Sequence, residues 1–360
     1  MDKKQREQDK RSKLANSKPY VYEKMMRFDE KIRRGESIAI IQLQYRYVCN
    51  LRCQHCSIKD FQVKSNKRSL KPADIKRIYT EADALGLART TITGGEPLIF
   101  KDLDQLVEAI GPDRFYINSD TNGYVLNKTI AKHLKSIGVD RLQISIDSMN
   151  PYEHDRFRGK EGSWIKAFKG IDIARAAGLD VFIQTVVTKQ RLYSQEFIDF
   201  IRFLNVRDVD VFVTFAKPVG AWAGKKDMVI DSEDLAFMQS LEEDFRVCTH
   251  LTPAYGLNMG CIAVKGMFSI TQYGDVLPCP YMHISIGNVF NESLDTIIKR
   301  GFGIKWFGEH VDTCLIAADS DFISRYIDQR VIGKPLPVKW TEVFTEEDAT
   351  RHAFSETINK

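Results

Sequence analysis

From residue 37 to residue 247 the chain alternates short apolar segments with helical ones, and this alternation constrains the fold more than any other feature. Ser37–Arg46, Thr90–Thr93, Phe115–Asp120, Arg141–Ile146, Leu179–Thr188 and Val209–Phe215 have the pattern of strands: short, apolar and rich in β-branched residues. Lys71–Leu85, Asp102–Ile110, Leu126–Ile137, Ser163–Ala177, Ser194–Leu204 and Asp231–Val247 carry helical spacing, with Pro72 opening the first and Gly178 closing the fourth. Repeated strand–helix–strand units mean crossovers and a parallel sheet. Strands without clean polar alternation point to burial on both faces. A closed eight-unit barrel needs about 250 residues. Six units predict an α/β fold, a partial (β/α)6 TIM-like barrel.

The character changes after about residue 250. Phe268–Tyr273 and Val276–Leu277, joined at Gly274, predict a β-hairpin, and Ser293–Arg300 a short helix. The expected organisation is a basic N-terminal extension (1–36), the partial barrel (37–248), a small C-terminal β-hairpin/helix domain (249–328) and a loosely packed tail (329–360) containing Pro335 and Pro337. Residues 1–35 hold twelve Lys/Arg and six Asp/Glu, a charge of +6; with +4 overall, the remainder carries −2. Such a head predicts a solvated helix or frayed tail, or else a surface for nucleic acid, a leader peptide or a phosphorylated substrate. No run approaches ~18 apolar residues, and the charged start has no apolar signal segment. Both features predict a cytoplasmic chain, in which the acceptor patterns at Asn127 and Asn291 stay silent.

Seven cysteines cannot all pair, and three fall within eight residues: Cys49-Asn50-Leu51-Arg52-Cys53-Gln54-His55-Cys56, the spacing C-x3-C-x2-C, directly after the first strand. Clustered cysteines in a cytosolic chain bind metal or do redox chemistry. Three thiolates on a four-iron cluster leave one iron open to a ligand. The spacing alone also admits zinc, with His55 as a strained fourth ligand, and a Cys53–Cys56 redox dithiol.

In spacing and position this loop resembles the signature of the radical S-adenosylmethionine (SAM) superfamily. The resemblance implies a [4Fe–4S] cluster on Cys49, Cys53 and Cys56 whose open iron takes the amino and carboxylate groups of SAM. Reductive cleavage of SAM then gives a 5′-deoxyadenosyl radical that abstracts hydrogen from substrate. His55, where the family usually has an aromatic residue, would lie against adenine. Thr93-Gly94-Gly95-Glu96-Pro97 resembles the family's GGEP motif: the glycines permit close backbone approach and Glu96 would accept from the methionyl ammonium. Asp120-Thr121-Asn122-Gly123 resembles the TNG loop of the SAM pocket, though Asn-Gly is also a common turn. Ser145-Ile146-Asp147 resembles the segment that meets the SAM ribose or carboxylate. Arg156-Phe157-Arg158-Gly159 resembles the arginine segment, with Arg158 pairing the SAM carboxylate. Gln184 and Thr188 would face adenine or be ordinary sheet residues.

Cys261 and Cys279 follow C-x12-G-x4-C around the hairpin, with Gly287-Asn288-Val289 and Cys314 downstream. This resembles the auxiliary-cluster region of the SPASM and shorter twitch subgroup, and implies an auxiliary [4Fe–4S] cluster on Cys261, Cys279 and Cys314. Position 317 is Ala where a further cysteine is usual. That leaves the fourth ligand to Cys248, Asp319, Asp321 or the substrate; plain core thiols are the alternative. The expected function is a radical SAM enzyme of oxidoreductase type. Its substrate would be a small polar metabolite (a sugar, aminocyclitol or nucleoside) or a ribosomal peptide, and its electron donor a protein such as flavodoxin or ferredoxin. No membrane or nucleic-acid partner is expected. The loop Val219–Gly224 reads as a substrate loop or a flexible connection. The competing class is a non-catalytic iron–sulfur or zinc scaffold with a degenerate SAM pocket.

Overall fold

A computed structural model describes residues 3–62, 65–253, 257–352 and 356. Six central strands, β1 (Ile40–Arg46), β2 (Arg89–Gly94), β3 (Tyr116–Thr121), β4 (Arg141–Ser145), β5 (Asp180–Val187) and β6 (Asp210–Phe215), pair in that order, each parallel to the next. The expected crossover helices lie between them: α4 (Pro72–Ala84), α5 (Leu103–Ile110), α6 (Lys128–Ser136), α7 (Pro151–Arg158) with α8 (Ser163–Ala176), and the short α9 (Lys189–Leu192) with α10 (Gln195–Val206). Polar side chains start several of them. Asn127 accepts from the Ile130 N–H at 2.9 Å and Asn150 from the Tyr152 N–H at 2.9 Å. Asn127, the residue of an acceptor pattern, is thus a helix cap.

The strands are not buried alike on both faces. On β1, Ile41, Leu43 and Tyr45 are fully buried on one face, while Gln42 and Gln44 on the other line a central cavity. A closed barrel fills such positions with branched apolar residues. Here Gln44, Thr93, Asn118, Gln143, Gln184 and Thr214 stand there instead, and a cavity of about 2170 Å³ remains.

Beyond β6, α11 (Ser232–Asp244) ends earlier than its pattern predicts. Phe245 is extended, and Val247–Cys248 forms β7, parallel to β6 with Val211 opposite Val247. The predicted hairpin is present as β8 (Met267–Ile270) and β9 (Asp275–Leu277), turning through Gly274 at φ +82°. It does not stand apart: β8 pairs in parallel with β1, Ile40 opposite Met267 and Leu43 opposite Ile270. The short β10 (Ile284–Ser285), β11 (Gly287–Asn288) and α12 (Leu294–Phe302) follow, and β11 pairs with β9.

One expectation fails at the C-terminal end. The tail is not loosely packed: β12 (Val338–Lys339) pairs with β10, Val343 and Phe344 are buried, and the Asp348 carboxylate accepts from the Tyr326 hydroxyl at 2.5 Å. The apolar residues between its prolines and its charges supply that packing. The basic head is three helices, α1 (Lys3–Ser17), α2 (Pro19–Met26) and α3 (Phe28–Arg33): α1 is largely exposed, the solvated helix expected, whereas Val21, Phe28 and Ile32 of α2 and α3 are buried. Lys10, Lys13 and Lys18 pair with Asp210, Asp180 and Asp140, residues that open β6 and β5 or immediately precede β4. Among the described residues no helix is long and apolar enough to cross a membrane.

Candidate functional site

The loop after β1 carries Cys49, Cys53 and Cys56, and neighbouring segments grip its backbone. The Gly95 N–H donates to the Arg46 carbonyl at 2.8 Å and the Glu96 N–H to the Val48 carbonyl at 2.9 Å. A Cβ at Gly95 would lie 1.9 Å from the Val48 carbonyl oxygen, so the close approach that this glycine allows is to the chain's own cysteine loop. On the opposite side the Ala221 N–H donates to the Cys56 carbonyl at 2.9 Å. Gly220, at φ +58°, leaves no room for a Cβ, which would lie 2.4 Å from that oxygen. The loop Val219–Gly224 therefore clamps the cysteines and is not a slack connection.

All three thiols are free and half-buried. Burial pushes the Cys56 thiol up to about 11, and the charges of Cys53 and Cys49 add to the push, so the three act on one another electrostatically. Arg158 Nη1 lies 4.0 Å from Cys53 Sγ. His55 stacks on Phe157, with ring centroids 4.4 Å apart and planes 11° apart, and meets Trp222 at 5.8 Å. Burial, aided by the Arg158 charge, pushes His55 down to about 3, and its Nδ1 has no partner among the described residues. One face of the imidazole is thus already covered. Phe157 and Trp222 are separated from His55 by more than a hundred positions, which is why the stack leaves no mark on the sequence.

Glu96 is buried with both oxygens engaged. Oε1 accepts from the Thr121 hydroxyl at 2.7 Å and the Leu98 N–H at 3.1 Å, and Oε2 accepts from the Asn122 N–H at 2.8 Å. Burial nonetheless raises its carboxyl to about 7. Asn122 Nδ2 donates to Asn50 Oδ1 at 2.8 Å, tying the third strand's loop to the cysteine loop. Asp147 and Arg158, expected to meet SAM separately, pair with each other: Arg158 Nε donates to Asp147 Oδ2 at 2.6 Å, and Asp147 Oδ1 accepts from the Val186 N–H at 3.0 Å. Burial pushes the Asp147 carboxyl up, but the Arg158 guanidinium beside it holds it well below the usual range.

Of the expected SAM residues, His55, Gly94, Gly95, Glu96, Asn122, Ser145 and Arg158 line the central cavity, as do the three cysteines. Pro97, which starts a tight turn, and Asp147, behind Arg158, do not. Gln184 lines it too, donating to the Thr214 hydroxyl at 3.2 Å, whereas Thr188 caps α9 through the Arg191 N–H at 3.2 Å.

Cys261, Cys279 and Cys314 line the same cavity at its C-terminal wall. They gather near Lys217, two residues past β6, on whose buried ammonium all three thiols act. Of the proposed fourth ligands, Cys248 sits on β7 opposite Phe212, where its charged neighbours are Glu242, Asp210, Arg141 and Lys10. Lys217 is five positions further along, about 16 Å of strand. Asp319 is engaged in capping the Phe322 N–H at 2.8 Å, and Asp321 is exposed. Nothing in the sequence pattern marks Lys217, because one lysine after a strand carries no spacing signal.

The donor sets suit iron–sulfur groups. Each offers three sulfurs facing the cavity, and three protein thiolates leave an iron open. A single zinc ion needs four ligands, and each set offers three thiols. His55, the zinc candidate, is held in the Phe157 stack.

Residues 45–204 match the radical SAM superfamily and residues 261–317 an iron–sulfur cluster-binding domain. An AdoMet-dependent heme synthase of Nitratidesulfovibrio vulgaris is 26% identical over 289 residues, 72% of this chain and 78% of that protein. A GTP 3′,8-cyclase of Marinobacter nauticus is 32% identical over 192 residues, 52% of this chain and 57% of the cyclase, so the chain matches little more than half of that relative's length. Among solved structures, Streptococcus suis SuiB bound to precursor peptide SuiA gives a TM-score of 0.58 at 19% identity, covering 77% of this chain and 69% of SuiB. Native anSMEcpe with bound AdoMet gives 0.55 at 16%, covering 72% and 80%. At these identities the solved structures speak to the fold, a partial barrel.

Proposed function

The chain belongs to the radical SAM superfamily and carries a SPASM-type iron–sulfur domain, and on that premise we propose that it abstracts hydrogen from a small polar substrate held between its two cysteine sets. SAM-dependent radical chemistry with a [4Fe–4S] cluster and an auxiliary cluster comes with these two domains. In the proposed assignment Cys49, Cys53 and Cys56 would hold the first cluster and Cys261, Cys279 and Cys314 the auxiliary one. His55, Gly94, Gly95, Glu96, Pro97, Asn122, Ser145, Asp147 and Arg158 would bind or position SAM. The first cluster with SAM supplies a 5′-deoxyadenosyl radical able to remove hydrogen from an unactivated carbon.

The chain's own residues do the rest. Glu96, held by three donors, presents a carboxylate to an ammonium group. Asp147 fixes Arg158 so that its Nη1 donates towards Cys53 Sγ at 4.0 Å. The Gly95 and Gly220 clamps keep the three thiols in place.

The observation that carries this reading is that both thiol sets line one cavity of about 2170 Å³. Its inner wall of Gln44, Thr93, Gln143, Gln184 and Thr214 favours a polar ligand that fits inside. The peptide reading leaned on the basic head, whose Lys10, Lys13 and Lys18 are engaged with the barrel's own aspartates. An oxidoreductase outcome, a cytoplasmic location and a flavodoxin- or ferredoxin-type donor belong to the same proposal.

The test is anaerobic reconstitution, followed by iron and sulfide analysis and assay of 5′-deoxyadenosine with SAM and a strong reductant. The wild-type chain should bind about eight irons and form 5′-deoxyadenosine. Cys53→Ala should retain about four irons and form none. Zinc in place of iron, or SAM cleavage that survives Cys53→Ala, overturns the reading in favour of a scaffold.

A further inference from the structure

One charged group that the site's chemistry leaves unused lines the same cavity: Lys217. Its side chain is 6% exposed, and its Nζ donates to the Phe215 carbonyl at 2.8 Å and sits 4.2 Å from the centre of the Tyr281 ring. Burial lowers the proton affinity of this ammonium, and among the described residues the groups that oppose that shift are the thiols of Cys314, Cys279 and Cys261, with no carboxylate among them. Two other buried cations are served differently. Lys24 pairs with Asp83 at 2.8 Å and takes two carbonyls. Lys265, on the far side of Cys261, donates to the carbonyls of Phe307 and Glu309 at 3.0 and 2.8 Å. His250, also beside Lys217, is pushed down to about 3 by burial and the lysine's charge, so it brings no counter-charge.

An ammonium buried without a carboxylate is costly unless another anion faces it. One carbonyl and one aromatic face leave donors of the ammonium free. The three sulfurs are the group's natural counter-ion once they are thiolates bound to iron, because a sulfur-ligated cluster concentrates negative charge on the cavity wall that Lys217 shares with them.

We propose that Lys217 is the positioning cation of the auxiliary cluster: its charge, on the cavity wall that Cys261, Cys279 and Cys314 also line and against Tyr281, two residues past Cys279, raises the reduction potential of the group they hold. This rests on the reading that those cysteines carry an auxiliary cluster. The electrostatic logic has one sign. Adding an electron makes the cluster more negative, and a fixed neighbouring cation stabilises the more negative state. Lys217 thus favours the reduced form and would help the auxiliary site accept an electron from the chamber.

The experiment is a potentiometric titration of reconstituted holoenzyme followed by electron paramagnetic resonance, on wild type, Lys217→Met and Lys217→Arg, with iron and sulfide counted in each. In Lys217→Met the auxiliary signal should move to lower potential, with its reduced fraction at fixed potential falling at least tenfold, which is 59 mV for one electron. The signal of the SAM-binding cluster should stay in place. Lys217→Arg, which keeps the charge, should stay close to wild type. An unchanged auxiliary potential in Lys217→Met with iron intact overturns the proposal while leaving the cluster reading standing, as does an equal shift in both variants. Auxiliary iron lost from Lys217→Met but kept near the wild-type potential in Lys217→Arg supports it; loss from both overturns it. Four irons in the wild-type chain overturn the cluster reading itself, and the proposal with it.

Discussion

Asp147 and Arg158 show what single side chains contribute to this site. They are 5% and 9% exposed at the side chain and 2.6 Å apart, so each is the other's reason for being charged indoors. Removing one partner of a buried pair leaves an uncompensated charge, at a cost of about 3–5 kcal/mol. Asp147→Asn should therefore lower stability by that order in urea denaturation at pH 7. The folded Asp147 carboxyl lies below its unfolded value of about 4, so its stabilisation is fully present above that pH and fades as pH falls through the folded value. The deficit of Asp147→Asn against wild type should hold constant from pH 7 to 5 and shrink below about pH 4; a deficit that grows on acidification contradicts the pairing. The cysteines and Glu96 were legible because each motif is contiguous and follows a strand end. This pair was legible only as two separate names. Its closure depends on α7 turning Arg158 back over the cysteine loop, a tertiary fact that no local spacing encodes.

At the scale of elements, the most informative is α1. The basic composition of the head was plain in the sequence, but its partners were not, because Asp140, Asp180 and Asp210 look like ordinary loop acids that precede strands. In the fold they ring the underside of the sheet, and two lysines of α1 and Lys18, between α1 and α2, meet one each. The three pairs differ in worth. Lys10 and Lys13 are 53% and 62% exposed at the side chain, and such surface pairs are worth about 0–1 kcal/mol. Lys18 is 12% exposed against Asp140 at 13%, and its Nζ also donates to the Phe115 carbonyl at 3.0 Å. Lys18→Ala should cost about 1–3 kcal/mol, well above Lys10→Ala or Lys13→Ala, and its effect should persist at high salt while theirs vanish. Equal effects of the three substitutions in thermal denaturation would mean that α1 docks by packing and not by charge. The strand–helix alternation was readable throughout β1–β6 because period and punctuation agree there. The end of α11 and the packed tail were misread because extended Phe245, and the apolar residues spaced among the tail's charges, act only through their partners β6 and β10.

For the whole molecule the question is what sets the two cysteine sets at a fixed separation. Cys49, Cys53 and Cys56 leave the end of β1, whereas Cys261 precedes β8 and Cys279 follows β9. β8 is bonded to β1, with the Ser269 hydroxyl donating to the Gln42 carbonyl at 2.9 Å, and just past β8 the Gln272 carbonyl accepts from the Leu70 N–H ahead of α4 at 2.9 Å. One hydrophobic cluster runs from Ala39 through Phe268 and Leu315 to Phe344. The C-terminal region therefore shares a sheet and a core with the barrel, and the spacing across the chamber is a property of that sheet. A composition change near residue 250 looks like a domain boundary because sequence shows where the pattern alters, not which edge the next strand joins. If β8 and β1 are one cooperative unit, native-state hydrogen exchange should give amides of Ile41 and Leu43 and those of Phe268 and Ile270 the same opening free energy, rising and falling together with denaturant. Exchange of the β8 amides through an opening at least about 2 kcal/mol cheaper than that of β1 would show a C-terminal region that detaches by itself, and would leave the distance between the two thiol sets to something other than the shared sheet.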